Sequence, residues 1–160
     1  LRVTVAKAKP QKAEQDPQES ALRLLARREH SRYELAGKLA ARGFARDSVD
    51  AALDDLESEG WLSDARFVSE FVRYRIRQGQ GPLRILADLR QRGIDEAQAQ
   101  QALQAAEVDW QVQAHDVYER RFAGEPPRDY RERARQMRFL QSRGFSAEVI
   151  RRVMNEVGKI

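Results

Sequence analysis

The chain has 160 residues, 34% of them charged and 41% hydrophobic, with a formal net charge of +4. It contains no cysteine, which excludes a disulfide framework, a thiolate zinc site and a cysteine nucleophile. No apolar run approaches the ~20 residues that cross a bilayer, and LRVTVAKAKPQKAEQDPQES lacks the apolar stretch of a secretory signal, so a cytoplasmic protein with no membrane partner is expected.

Residues 1–19 mix Lys7, Lys9 and Lys12 with Pro10 and Pro17 and show no amphipathic period, so they are expected to form a flexible N-terminal arm. From Ser20 onward apolar residues recur at three and four, strand-like alternation is nearly absent, and helices are expected to the end of the chain. The first should span about 20–30 and end near His30, whose charge would complement the helix dipole. The second carries Leu39 and ends at Arg42 before Gly43; the third starts on Asp47 or Ser48 and stops at Gly60. Trp61 and Leu62 follow, and Ser63 or Asp64 caps a helix over 64–78. Gly79 and Gly81 break it and Pro82 opens the next, which ends before Gly93. Asp95 then caps a further helix, another spans 109–122, and Gly124, Pro126 and Pro127 separate it from the next, which ends before Gly144. Ser146 caps the last.

These elements repeat. The segments around Gly43, Gly93 and Gly144 align at spacings of 50 and 51 residues. Leu39, Leu89 and Leu140 stand four positions before the glycine, and Arg42, Arg92 and Arg143 directly before it. Phe44, Ile94 and Phe145 stand directly after it. In each unit the glycine takes the left-handed position that ends a helix, and the apolar residue beyond it turns back into the core. The expected fold is therefore all-α: three tandem three-helix repeats over 20–60, 61–107 and 108–160, forming an elongated, curved array.

Catalytic motifs are nearly absent. His30 and His115 are the only histidines and stand in no metal-binding spacing, and the glycines of GQGPLR lack the Lys-Ser/Thr of a phosphate-binding loop. No catalytic residue, metal or cofactor is assigned, and a non-enzyme is expected. Charge says more. Residues 47–59 hold six acids and no base, whereas 66–92 hold seven Arg against Glu70 and Asp88, and 128–143 hold six Arg against Asp129 and Glu132. Arg66, Arg73 and Arg77 are spaced by seven and four and so share one helix face, while Phe67, Phe71 and Val72 lie towards the core. An Arg-lined surface on a helical array suits a polyanion or an acidic protein groove.

The run GWLSDARFVSEFVRYRIRQGQGPLRILADLRQRGI, Gly60 to Ile94, closely resembles the signature of the RecX family of bacterial recombination regulators, and ALRLLARREHSRYELAGKLAARGF is similar to that family's opening pattern. The resemblance spans about 20–157 and excludes the N-terminal arm. It implies a protein that lies in the groove of the RecA–DNA filament and inhibits RecA's ATPase, strand exchange and co-protease activity. It also implies non-specific binding to single- and double-stranded DNA. Gly60, Trp61, Leu62, Ser63, Asp64, Ala65, Arg66 and Phe67 match the family motif. Ser63 or Asp64 is read as a cap, and Trp61 and Phe67 as packing between the first and second units. Arg73, Arg77 and Arg84, helped by Arg66 and Arg92, are the expected contacts to filament or DNA, and a monomer is the default state. The competing expectation is a helix-turn-helix-like DNA-binding regulator that acts without RecA. The acidic third helix of the first unit and the Arg-free DEAQAQQALQAAE of the second count against it.

Overall fold

A computed structural model describes residues 16–158 and contains nine helices and no strand among them. Unit one comprises α1 (Pro17–Arg27), α2 (Arg32–Ala41) and α3 (Arg46–Ser58). Unit two comprises α4 (Asp64–Arg77), α5 (Pro82–Gln91) and α6 (Glu96–Ala105). Unit three comprises α7 (Trp110–Phe122), α8 (Tyr130–Arg143) and α9 (Ala147–Val157).

The local chemistry explains most helix boundaries. Gly43, Gly93 and Gly144 end α2, α5 and α8 at φ of +90°, +74° and +98°. Asp95 accepts from the backbone N–H groups of Ala97 and Gln98, and Ser146 from that of Val149. Two boundaries differ from the sequence reading. Helix α1 occupies Pro17–Arg27 rather than about 20–30, because Asp16 accepts from Gln18 N, Pro17 opens the helix and Arg28 is already extended. Pro17, Gln18 and Glu19 are thus helical rather than part of an arm; residues 1–15 lie outside the described residues. Helix α3 starts at Arg46 from Ala45, which offers no side-chain cap, and Asp47 and Ser48 fall within its first turn.

Each unit buries its own core. Leu35, Leu39, Leu53 and Leu56 form the centre of the first, with Leu62 folded back into it. Phe67, Val72, Ile85 and Leu89 fill the second, and Tyr118, Leu140, Phe145 and Met154 the third. Every substantial helix–helix contact falls inside a unit. The units nevertheless touch in series. Between two and three, Gly81 N donates to Arg143 O at 2.7 Å and Leu83 N to Gly144 O at 3.0 Å, and Trp110 packs against both cores.

Candidate functional site

The residues matching the motif build the junction between units one and two. Leu62 is buried, and Ser63 caps α4 by accepting from Arg66 N at 3.2 Å. Asp64 works across the junction: its Oδ1 accepts from Arg32 N, at the start of α2, at 2.8 Å. Ser31 Oγ donates to Arg92 O at 2.8 Å. Phe67 lies in the core of unit two and also lines a small cleft with Arg28 and Glu29 of unit one. Trp61 does not pack between the units; it is 59% exposed, because Gly60 turns the chain at φ +80° and it is Leu62 that enters the core.

The five arginines expected on the binding surface divide. Arg66 is committed within the molecule: Nε donates to Glu29 Oε1 at 2.6 Å, and the two terminal nitrogens donate to Gly60 O at 2.9 Å and Trp61 O at 3.1 Å. Arg92 lies 4.8 Å over the Phe71 ring and donates to Asp88 O at 3.0 Å. Arg66 thus pairs across the first junction with Glu29, and Arg92 Nε stands 4.0 Å from Glu34 Oε1 of unit one, so both guanidinium groups are junction elements before they are contacts. Arg84 is in between: half-exposed, it donates to Ser142 O at 3.3 Å across the second junction and stands 4.0 Å from Asp88. Arg73 and Arg77 are exposed and make no hydrogen bond or ion pair among the described residues. Arg73 also lines an open groove of about 530 Å³ between α4 and α6, whose apolar wall includes Val68, Val72, Ala102 and Ala105.

His30 is not the helix-terminal cation expected from the sequence. It is only 2% exposed, three residues beyond the end of α1. Nδ1 stands 3.0 Å from Arg28 O, and Nε2 is 3.1 Å from Lys38 Nζ. The ammonium can only donate, so Nε2 accepts and Nδ1 carries the proton of a neutral ring. Burial, with the charges of Arg28 and Lys38, lowers its pKa from the usual 6.5 despite the opposing pull of the Arg28 carbonyl and Glu34.

A second cationic region was not among the expected site residues. Arg121, Arg135 and Arg138 line an open groove of about 570 Å³ with Phe122 and Phe139. An adjoining groove of about 610 Å³ shares Arg135 and Arg138 and adds Arg128 and Arg131. None of these five arginines is in an ion pair among the described residues. The two acids nearby are engaged by the backbone: Asp129 accepts from Glu132 N at 2.8 Å, and Glu132 from Arg128 N at 3.1 Å. The signal is visible in the sequence as the Arg surplus over 128–143. No group of acids and histidines able to hold a metal occurs among the described residues, and none of their helices is long and apolar enough to cross a membrane.

Comparison with known proteins gives a consistent set of likenesses. Family models described as the first, second and third three-helix domains of RecX match residues 19–56, 63–103 and 107–154. A relative from Pseudomonas savastanoi pv. phaseolicola named "Regulatory protein RecX" is 49% identical over 139 residues, covering 87% of this chain and 90% of its own length. One of the same name from Halorhodospira halophila is 52% identical over 133 residues, covering 83% of each chain. The crystal structure of RecX from Lactobacillus salivarius shares the fold with a TM-score of 0.72 at 22% identity, over 90% of this chain and 96% of that one.

Proposed function

The chain belongs to the RecX family, and from that premise we propose that it is a negative modulator of RecA acting in the cytoplasm. It binds in the groove of the RecA–DNA filament and inhibits ATP hydrolysis, strand exchange and co-protease activity. Three serially joined units suit a repeating polymer, because several weak contacts to neighbouring subunits add through effective concentration. Control of the filament then requires only that the array bind one filament state better than another.

The observation that carries this reading is the face of α4 in unit two. Arg73 and Arg77 project there free of internal partners, and Arg73 flanks the apolar groove between α4 and α6. That pairing of apolar wall and free guanidinium fits a protein contact, an apolar side chain beside a carboxylate on a RecA subunit. Arg84, which shares Asp88 with Arg75 and reaches Ser142 O, is a further contact at the second junction, whereas Arg66 through Glu29 and Arg92, 4.0 Å from Glu34, support the face by fixing unit one against unit two. Salt-sensitive, non-specific contact with filament DNA accompanies the protein contact.

The test is RecA ATPase on single-stranded DNA. Arg73→Glu with Arg77→Glu abolishes inhibition while helical circular dichroism stays unchanged, since neither side chain has a structural partner. Full inhibition by that double variant overturns the assigned face.

A further inference from the structure

The two internal junctions are built to one plan. In each, the start of a unit's second helix meets the glycine turn that ends the second helix of the next unit. Ser31, which caps α2, donates through Oγ to Arg92 O at 2.8 Å, and Tyr33 lies so close to Gly93 that a Cβ there would collide with the Tyr33 Cβ. Gly81, at the cap position of α5, donates through N to Arg143 O at 2.7 Å, and Leu83 N donates to Gly144 O at 3.0 Å. A Cβ on Gly144 would stand 2.5 Å from Arg84 N. The plan has one sense along the chain, so it leaves half of a joint unused at each end.

Unit three carries the helix-start half. Asp129 caps α8, and Asp129 N and Arg131 N stand in the register of Gly81 N and Leu83 N; neither donates to an acceptor among the described residues. Glu132 is the third residue of α8 as Glu34 is of α2, and it accepts from Arg128 N as Glu34 accepts from Ser31 N. Tyr130, 91% exposed, lies uncovered at this end. Unit one carries the glycine half. Arg42 O and Gly43 O stand in the register of Arg143 O and Gly144 O and accept no hydrogen bond among the described residues, and a Cβ on Gly43 meets nothing within 4 Å. Phe44, beside it, is only partly buried, whereas Ile94 and Phe145 are 4% and 1% exposed. One end thus has donors without acceptors and the other has acceptors without donors.

We propose that copies of this chain join end to end, the start of α8 in one copy seated on the Gly43 turn of the next. Asp129 N and Arg131 N then donate to Arg42 O and Gly43 O, and Glu132 faces Arg42 as Glu34 faces Arg92, 4.0 Å apart within the chain. Arg128 and Arg131 meet acids in Glu19 and Asp47, which are exposed in the first turns of α1 and α3 and make no ion pair among the described residues. The joint is heterologous: two different surfaces pair, so it does not close at a dimer and growth continues. It is about as small as an internal junction, so association between free copies is weak. It needs no RecA, and it stands or falls apart from the contact proposed for α4.

The experiment is sedimentation equilibrium of the whole chain, without RecA or nucleic acid, at concentrations up to about 1 mM, where a contact with a Kd of that order is well populated. The weight-average mass rises from 18.4 kDa past that of a dimer without a plateau. Gly43→Ala keeps the helical circular dichroism of the parent but weakens association at least about tenfold, since its Cβ meets the incoming copy as one on Gly93 or Gly144 would meet the preceding unit. Arg42→Glu and Glu132→Arg each weaken association about threefold, and the two together in one chain restore it. A mass fixed at 18.4 kDa overturns the joint. So does a plateau at the dimer, which marks a closed two-fold contact, or a Gly43→Ala variant that grows as the parent does. A double charge swap that associates no better than the single variants removes the register that pairs Glu132 with Arg42, and the proposal with it. Because RecA is absent, any of these outcomes leaves the Arg73 and Arg77 test untouched.

Discussion

A histidine buried next to a lysine fixes its own protonation state, and His30 carries a pH dependence as a result. Its folded pKa lies below 6.5, so between that value and 6.5 the unfolded chain binds more protons than the folded one. The His30 contribution to stability is complete above pH 6.5 and is lost as pH falls towards the folded value. The charged groups facing the ring are Arg28, Lys38 and Glu34. Glu34 is held below its usual 4.5: burial pushes it up, but the Arg28 pair at 2.8 Å and the Ser31 backbone bond pull it further down. Its contribution therefore fades only below pH 4.5, in a separate window. Thermal melts at closely spaced pH values are expected to show a fall in Tm beginning near pH 6.5, and His30→Gln removes that step while leaving the one below 4.5. A step that persists in the variant would assign the titration elsewhere. The sequence held the clue to this ring. Ser31 and Glu34 form a reciprocal capping box, which marks Ser31 as the start of a new helix and leaves His30 in a link rather than at a helix end. What the sequence does not display is the burial of the ring, so it read as a helix-terminal cation.

Among the helices, those that the sequence revealed are the ones whose boundaries have their own chemistry. The three glycines do end α2, α5 and α8 in the left-handed conformation, and Asp95 and Ser146, each two residues past its glycine, are caps. The same count from Gly43 lands on Ala45, the cap position directly before α3; a preference for polar caps pointed instead to Asp47 and Ser48. Less legible is where a glycine serves contact rather than turning. Gly81 has no left-handed φ, yet a Cβ there would stand 2.5 Å from the Gly144 carbonyl carbon and oxygen. A Cβ on Gly43 meets nothing within 4 Å. Gly43→Ala should therefore cost about 1–2 kcal/mol, the left-handed strain alone. Gly81→Ala should cost more and separate unit three from unit two. Denaturation midpoints, with hydrogen exchange across α8 and α9, distinguish the two: the first variant leaves exchange in unit three unchanged and the second raises it. Equal behaviour would mean that the backbone approach at Gly81 and Gly144 is not what joins the units.

For the molecule as a whole, the repeat was readable because three copies of one pattern constrain each other, and so was the family. The junctions were not, because they link residues far apart in the chain: Asp64 meets Arg32, Arg66 meets Glu29, and Ser31 meets Arg92. That is why Arg66 and Arg92 read as surface contacts when viewed along the sequence. Asp64→Ala leaves the Arg32 amide without its acceptor and should cost about 1 kcal/mol, as loss of a helix cap does. Its sharper signature is local: faster hydrogen exchange at the first turn of α2, in a different unit from the substitution. Exchange confined to α4 would show that Asp64 serves only its own helix.

The bond from Arg32 to Asp64 also sets an order of events at the ribosome. Unit one leaves the exit tunnel before Asp64 has emerged, and the Arg92 carbonyl follows later still. At about 5–20 residues per second, the nascent first bundle waits a few seconds with the start of α2 partly unsatisfied. The moment of completion for the first module is therefore decided by translation of the second.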